Sequence, residues 1–157
     1  KYKIYNMITI EEFKKKQSVR SRLIGIDLGT KRIGIAICDE KQKIATPLKT
    51  LNKNKLEDLI FELKSIIQEN DVKGIIVGNP LNMDGSFGKS SQSAKDISEN
   101  ISKNINLPLC MWDERLSTIG AFNLTNQLDV NVNKREKKID ENAAAFILQG
   151  AIDFINN

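Results

Sequence analysis

Residues 23–38 constrain the fold more than any other stretch of the chain. Two apolar runs, 23–28 and 33–38, stand either side of a short polar link of Gly29, Thr30, Lys31 and Arg32. Isoleucine, leucine and alanine at this length read as two buried strands rather than alternating, half-wet ones. A link this short joins them as a tight hairpin. One residue breaks the pattern: Asp27 lies inside the first run. A carboxylate in a buried strand has to be desolvated, paired or bound to a cation. A strand with one Asp, a glycine turn, then Lys31 and Arg32 suggest a metal or phosphate site at the end of a central strand.

The chain contains no histidine. That removes Ser-His-Asp and Cys-His nucleophile systems, histidine general bases and most zinc sites. Chemistry has to run on carboxylates, lysine, arginine, hydroxyls and hard cations. A length of 157 residues suits one domain with a real core. The net charge of +4 permits a nucleic-acid partner without demanding one. Cys38 and Cys110 each sit in an apolar run with no CxxC spacing, so both read as small core residues in a reducing compartment. No apolar run reaches the roughly 20 residues that span a bilayer, so no membrane partner is expected.

Residues 1–22 read as an N-terminal extension and 23–157 as the folded domain. Within the extension, Thr9 and Glu12 have capping-box spacing ahead of a charged segment, which suits a short helix or a disordered arm. The arm is either a solvated extension or an RNA contact. The chain begins at Lys1, which leaves open a targeting segment upstream.

After the hairpin, residues 43–51 read as a third strand, placed at an edge by Pro47. Three short-linked strands make an antiparallel meander. Over 53–69 the period changes: Leu56, Leu59, Ile60, Leu63, Ile66 and Ile67 recur at helical spacing. Residues 74–78 are a short apolar strand, so strand, helix and strand imply a parallel crossover. The loop 79–88 follows at that strand's carboxyl end, where ligands favour binding. A second helix is expected over 90–104 with Ser90 or Ser91 as N-cap, then a fifth strand over 107–112. A third helix is expected over 118–128 with Ser117 as cap. Residues 129–139 are polar and basic without period and read as a mobile loop, with the last helix over 140–155.

Three acidic positions recur at meaningful places: Asp27, the pair Asp113 and Glu114 at the end of the fifth strand, and Asp140. Asp140 stands three and four residues before Ala143 and Ala144, on the expected apolar face of its helix, and is preferred to Glu141. Converging carboxylates raise one another's pKa unless a cation compensates them. Mg²⁺ or Mn²⁺ prefers hard oxygen ligands, and two such ions about 4 Å apart hydrolyse phosphodiesters without any histidine.

Four motifs in order resemble the YqgF/RuvX family of RNase H-like proteins. They run from Asp27 to Ala36, from Gly78 to Ser86, from Asp113 to Thr118 and from Asp140 to Ala144. Asn79 departs from the leucine more usual there. The resemblance implies an α/β fold: a five-stranded mixed sheet, meander then parallel crossovers, with helices on both faces. It implies a metal-binding triad of Asp27, Glu114 and Asp140, taking Mg²⁺ or Mn²⁺, with two ions expected. Lys31, Arg32 and Arg115 would contact substrate phosphates, and the basic segment with Lys134, Arg135, Lys137 and Lys138 would close over RNA. The implied activity is endonucleolytic processing of the 5′ end of precursor 16S-type rRNA in the cytoplasm, or in an organelle matrix or stroma if a targeting segment is removed. The alternatives are Holliday-junction resolution and a non-catalytic RNA-binding role in ribosome assembly. A monomer or weak homodimer is expected.

Overall fold

A computed structural model describes residues 6–16, 20–82, 84–86, 88–115 and 132–157, with the backbone alone for 132–141. The expected hairpin forms as β2 (Leu23–Leu28) and β3 (Arg32–Cys38), antiparallel, with Asp27 opposite Gly34. Gly29 closes the turn because a Cβ there would lie 2.6 Å from the carbonyl oxygen of Arg32. β4 (Ala45–Asn52) completes the meander at the sheet edge, as Pro47 predicts. The β3–β4 register slips between Ile35, opposite Lys49, and Ala36, opposite Pro47, so the ladder bulges beside the proline.

Helix α2 (Leu56–Asn70) buries Leu59, Ile60, Leu63 and Ile66, four of the six predicted stripe positions, and ends on left-handed Asp71. β5 (Gly74–Asn79) then pairs parallel with β2. Helix α3 (Lys89–Asn104) leads to β6 (Leu109–Asp113), parallel to β5. The expected serine cap of α3 is wrong. Gly88 is the N-cap without a side-chain bond, and Ser91 lies fully buried, its hydroxyl donating to Asn79 Oδ1 at 2.7 Å. A partly buried acceptor at the end of β5 holds that serine, so it faces the sheet and not the helix terminus.

The sheet has six strands, one more than expected, and with β1 as Met7–Ile8 their order is β1-β6-β5-β2-β3-β4. The addition is β1, parallel to β6 through Met7 opposite Leu109. Two residues carry no alternation, and their partner lies about a hundred positions away, so sequence pattern cannot reveal the pairing. Helix α1 (Ile10–Lys15) follows with the full capping box: Thr9 Oγ1 accepts from Glu12 N–H at 3.1 Å and Glu12 Oε1 accepts from Thr9 N–H at 2.9 Å. Phe13 is fully buried and lies over Gly74, where a Cβ would meet its ring at 2.6 Å. Thr9→Ala is expected to cost about 1 kcal/mol of unfolding free energy in denaturant titrations, the usual value of a lost N-cap.

The last helix, α4 (Val132–Asn156), begins eight residues before the expected Asp140, so the basic segment 132–139 is helical and not a loop. Lysine, arginine and glutamate favour helix, but with Val132 and Ile139 as its sole apolar residues the segment shows no helical period. The expected helix over 118–128 and its Ser117 cap lie outside the described residues.

Two apolar layers sandwich the sheet. Ile24, Ile26, Ile33, Ile35, Ile75, Val77 and Leu109 face α2 and α3. Leu23, Ala36, Ile76, Cys110 and Trp112 face α4 through Ala144, Ile147, Leu148 and Ala151. Both cysteines are buried free thiols, as expected; burial pushes the Cys110 thiol up to about 12. Among the described residues no helix is long and apolar enough to cross a membrane.

Candidate functional site

Side chains alternate along a strand, and this decides where each acidic residue goes. On β2, Leu23 packs in the α4 layer and Gly25 lies against Leu148 of α4, so Asp27 extends from the same face at the strand's carboxyl end. On β6, Cys110 and Trp112 face α4, while Leu109 packs in the opposite layer. The neighbouring acids at its end therefore part company.

Asp113 turns away from α4. Its carboxylate grips Arg115, with Oδ2 accepting from Nη2 at 2.6 Å and Oδ1 from both Nε and the backbone N–H at 3.0 Å. Arg115 holds Asp113 below the ordinary carboxylate range. The guanidinium covers Gly85, where φ is +88° and a Cβ would approach Nη1 to 3.3 Å. Arg115 thus ties the end of β6 to the 79–88 loop.

Glu114 turns the other way, onto the α4 face. It lies over Gly78 of β5, where a Cβ would be 2.7 Å from Glu114 Oε2 and 2.6 Å from Ile147 Cδ1. Only a glycine leaves room for the carboxylate here. Burial, then the negative charge of Asp27, then that of Asp113, push the Glu114 carboxyl up to about 7. A carboxyl that resists ionisation beside a second carboxylate has the donor chemistry of a hard-cation site.

Two of the three predicted acids, Asp27 and Glu114, therefore come together on one face, at the carboxyl ends of β2 and β6, the two strands that flank β5. Asp140 stands on α4 one turn before Ala144, whose carbonyl oxygen would be 2.9 Å from a Cβ on Gly25. The Asp140 side chain and those of Lys134, Arg135, Lys137 and Lys138 lie outside the described residues. Among the described residues no three acidic or cysteine side chains form a metal cluster. Lys31 and Arg32 are exposed on the hairpin turn at this same end of the sheet. Sequence reasoning missed Gly78 as the floor under Glu114. It also missed the opposite destinies of Asp113 and Glu114, although strand alternation carried the signal.

The family model described as RuvX, Holliday junction resolvase, matches residues 21–154, which include Asp27, Glu114 and Asp140. The chain belongs to the RuvX family. A Pelagibacter ubique protein named as a pre-16S rRNA nuclease is 66% identical over 151 residues, covering 96% of this chain and 100% of that one. A Chelativorans relative with the same name is 42% identical, covering 94% and 92%. Two solved structures share the fold at low identity. Yeast mitochondrial Holliday junction resolvase Ydc2 gives a TM-score of 0.54 at 11% identity, covering 94% of this chain and 84% of that one. Thermus thermophilus RuvC bound to a Holliday junction gives 0.52 at 10%, covering 84% and 93%.

In this RuvX-family chain the divergence of Asp113 and Glu114 has a direct test. Asp113→Asn is expected to cost about 1 kcal/mol in stability, because the ion pair is partly exposed. It should lower nucleolytic activity by less than tenfold. Glu114→Gln should cost far more activity at little cost in stability. Equal activity losses in the two variants would contradict the division of labour.

Proposed function

We propose that this RuvX-family protein is a divalent-metal-dependent endonuclease acting on the 5′ end of precursor 16S-type rRNA in the bacterial cytoplasm. The observation that carries the proposal is the Asp27–Glu114 carboxylate pair, with Glu114 half-buried and its carboxyl pushed up to about 7. Two hard oxygen donors whose negative charges repel each other fit Mg²⁺ or Mn²⁺, with two ions bound and Asp140 as third ligand. When bound, such ions lower the pKa of water and stabilise the leaving oxygen of a phosphodiester.

The chain's own residues have distinct tasks in this reading. Asp27 and Glu114 supply ligand oxygens, and Gly78 keeps Glu114 pressed against the strand. Lys31 and Arg32 attract substrate phosphates from the hairpin turn. Lys134, Arg135, Lys137 and Lys138 on α4 supply further phosphate contacts. Arg115 contributes to phosphate binding only by sharing its guanidinium with Asp113.

The names of the relatives favour precursor rRNA as substrate. The family description keeps branched DNA as the second reading. The test incubates the purified protein with a precursor 16S rRNA fragment and with a synthetic four-way junction, in Mn²⁺ or in EDTA. Mn²⁺-dependent cleavage near the mature 5′ end supports the proposal. Cleavage of the junction alone transfers the activity to branched DNA. Binding without cleavage of either substrate leaves the non-catalytic assembly role and overturns the nuclease.

A further inference from the structure

The face opposite α4 carries a feature the proposed nuclease centre does not use. Phe61 on α2 is 73% exposed, the most exposed of the large apolar side chains among the described residues. It forms one wall of a groove of about 300 Å³ between α2 and the end of β4. Ile33, Leu51 and Leu59 form an apolar floor. That volume is at the small end for ligand sites and suits a single flat ring.

The charge around this groove is not random. Lys31, Arg32, Lys53 and Lys55 are all exposed at the same edge of the sheet. Arg32 pairs with Asn52 across β3 and β4, and Lys53 N–H donates to the Lys31 carbonyl at 3.0 Å, so the two basic turns are fastened together. Lys55 also lines the groove. Two carboxylates line it as well. Glu62 is paired with Lys49 at 2.9 Å, while Asp58 stands in the first turn of α2. A line of cations therefore leads from the β2–β3 turn beside Asp27 across to the groove. β4 is two strands from β2, roughly 10 Å in the plane of the sheet, so a chain that rounds the end of the sheet from the α4 face to the α2 face has a short path along its backbone.

We propose that this groove is a subsite for one unpaired nucleobase of the substrate, stacked on Phe61, with Lys53 and Lys55 on the adjoining phosphates. An exposed aromatic wall beside a basic track is the arrangement that binds single strands. Asp58 accepts hydrogen bonds, so a base presenting N–H donors is preferred in the groove. The proposal rests on the nuclease reading only for its choice of nucleic acid as the partner. It also specifies the substrate further: the cleaved site has to be flanked by an unpaired nucleotide.

The test measures binding of fluorescently labelled single-stranded RNA oligonucleotides to the full chain in EDTA, so that no cleavage is needed. Phe61→Ala should weaken binding about tenfold, and Phe61→Trp should restore it. Lys53→Ala with Lys55→Ala should lower the slope of log affinity against log salt by about 1.4. Melting temperatures should be unchanged in the Phe61 variants, as the side chain is exposed. Equal affinity for wild type and Phe61→Ala overturns the subsite while leaving the nuclease untouched. Phe61-dependent binding by a chain that cleaves nothing keeps the subsite and sinks the nuclease. A Phe61-dependent dimer in sedimentation, with no effect on RNA affinity, overturns the subsite in favour of a second copy.

Discussion

Asp27→Ala should abolish Mn²⁺-dependent cleavage and, at pH 8 without metal, make the protein more stable than wild type. In the proposed site Asp27 supplies a ligand oxygen, and the first effect follows from its loss. Charge stabilisation worth several kcal/mol disappears, which is about a thousandfold or more in rate. The second follows from Glu114. Its carboxyl is pushed up to about 7, first by burial and then by the charge of Asp27. In the unfolded chain a glutamate titrates near 4.3. Between those values the folded state holds the extra proton. Stability attached to Glu114 is therefore fully present below about 4.3 and is lost as pH rises through about 7. The loss reaches about 3 kcal/mol by pH 8. Removing Asp27 lowers the Glu114 pKa and returns part of that stability.

Glu114→Gln should flatten the dependence over the same window. Asp39, Asp84 and Asp113, held below the usual carboxylate range chiefly by hydrogen bonds, contribute in the opposite sense and at lower pH. Thermal unfolding from pH 5 to 8 in EDTA separates the two. An Asp27→Ala protein that is less stable than wild type at pH 8 would contradict the pairing. A loss of activity with a gain in stability cannot be dismissed as misfolding.

Gly25→Ala should be the most damaging single methyl addition to the sheet, at about 3 kcal/mol. Its Cβ would lie 2.7 Å from Leu148 Cβ and 2.9 Å from the Ala144 carbonyl oxygen. Leu148 is fully buried and Ala144 nearly so. Neither atom is the free end of a side chain, so relief requires α4 itself to shift, and overpacking of this kind costs 1–3 kcal/mol or more. Cleavage should fall as well, because α4 carries Asp140, the proposed third ligand. Gly78→Ala is the contrast. Its Cβ would meet Ile147 Cδ1 and Glu114 Oε2, both ends of side chains that can swing away. Stability should drop by less than about 1.5 kcal/mol, whereas cleavage should fall at least a hundredfold as Glu114 leaves its place. Denaturant titrations and initial rates on both variants decide the matter. A costly Gly78→Ala beside a mild Gly25→Ala would contradict the packing described.

Much of this fold is legible in the sequence. The hairpin, the edge position of Pro47 and the helical stripe from Leu56 follow from local periodicity, which reflects burial on one face. Asp27 drew attention for the same reason, as a charge where the pattern demanded an apolar side chain. What local pattern could not carry was long-range or featureless. Met7 and Ile8 find a strand partner only through Leu109 and Cys110, far along the chain. Residues 132–139 form helix, but Val132 and Ile139 alone are too few to show a period. Ser91 looked like a cap because serine favours caps, but tertiary context gave its hydroxyl to Asn79. Asp113 and Glu114 were indistinguishable by composition and separated only once β6 had a register and two faces. The floor at Gly78 required knowing that β5 lies beside β6.

The most direct measurement is Mn²⁺ affinity by electron paramagnetic resonance, on wild type and Glu114→Gln, at pH 6 and pH 8. Wild type should bind Mn²⁺ more tightly at pH 8 than at pH 6, because the Glu114 proton no longer competes. Glu114→Gln should bind at least about tenfold more weakly and with almost no dependence on pH. Equal Mn²⁺ affinity for the two proteins at pH 8 would contradict the Asp27–Glu114 pair as a cation site.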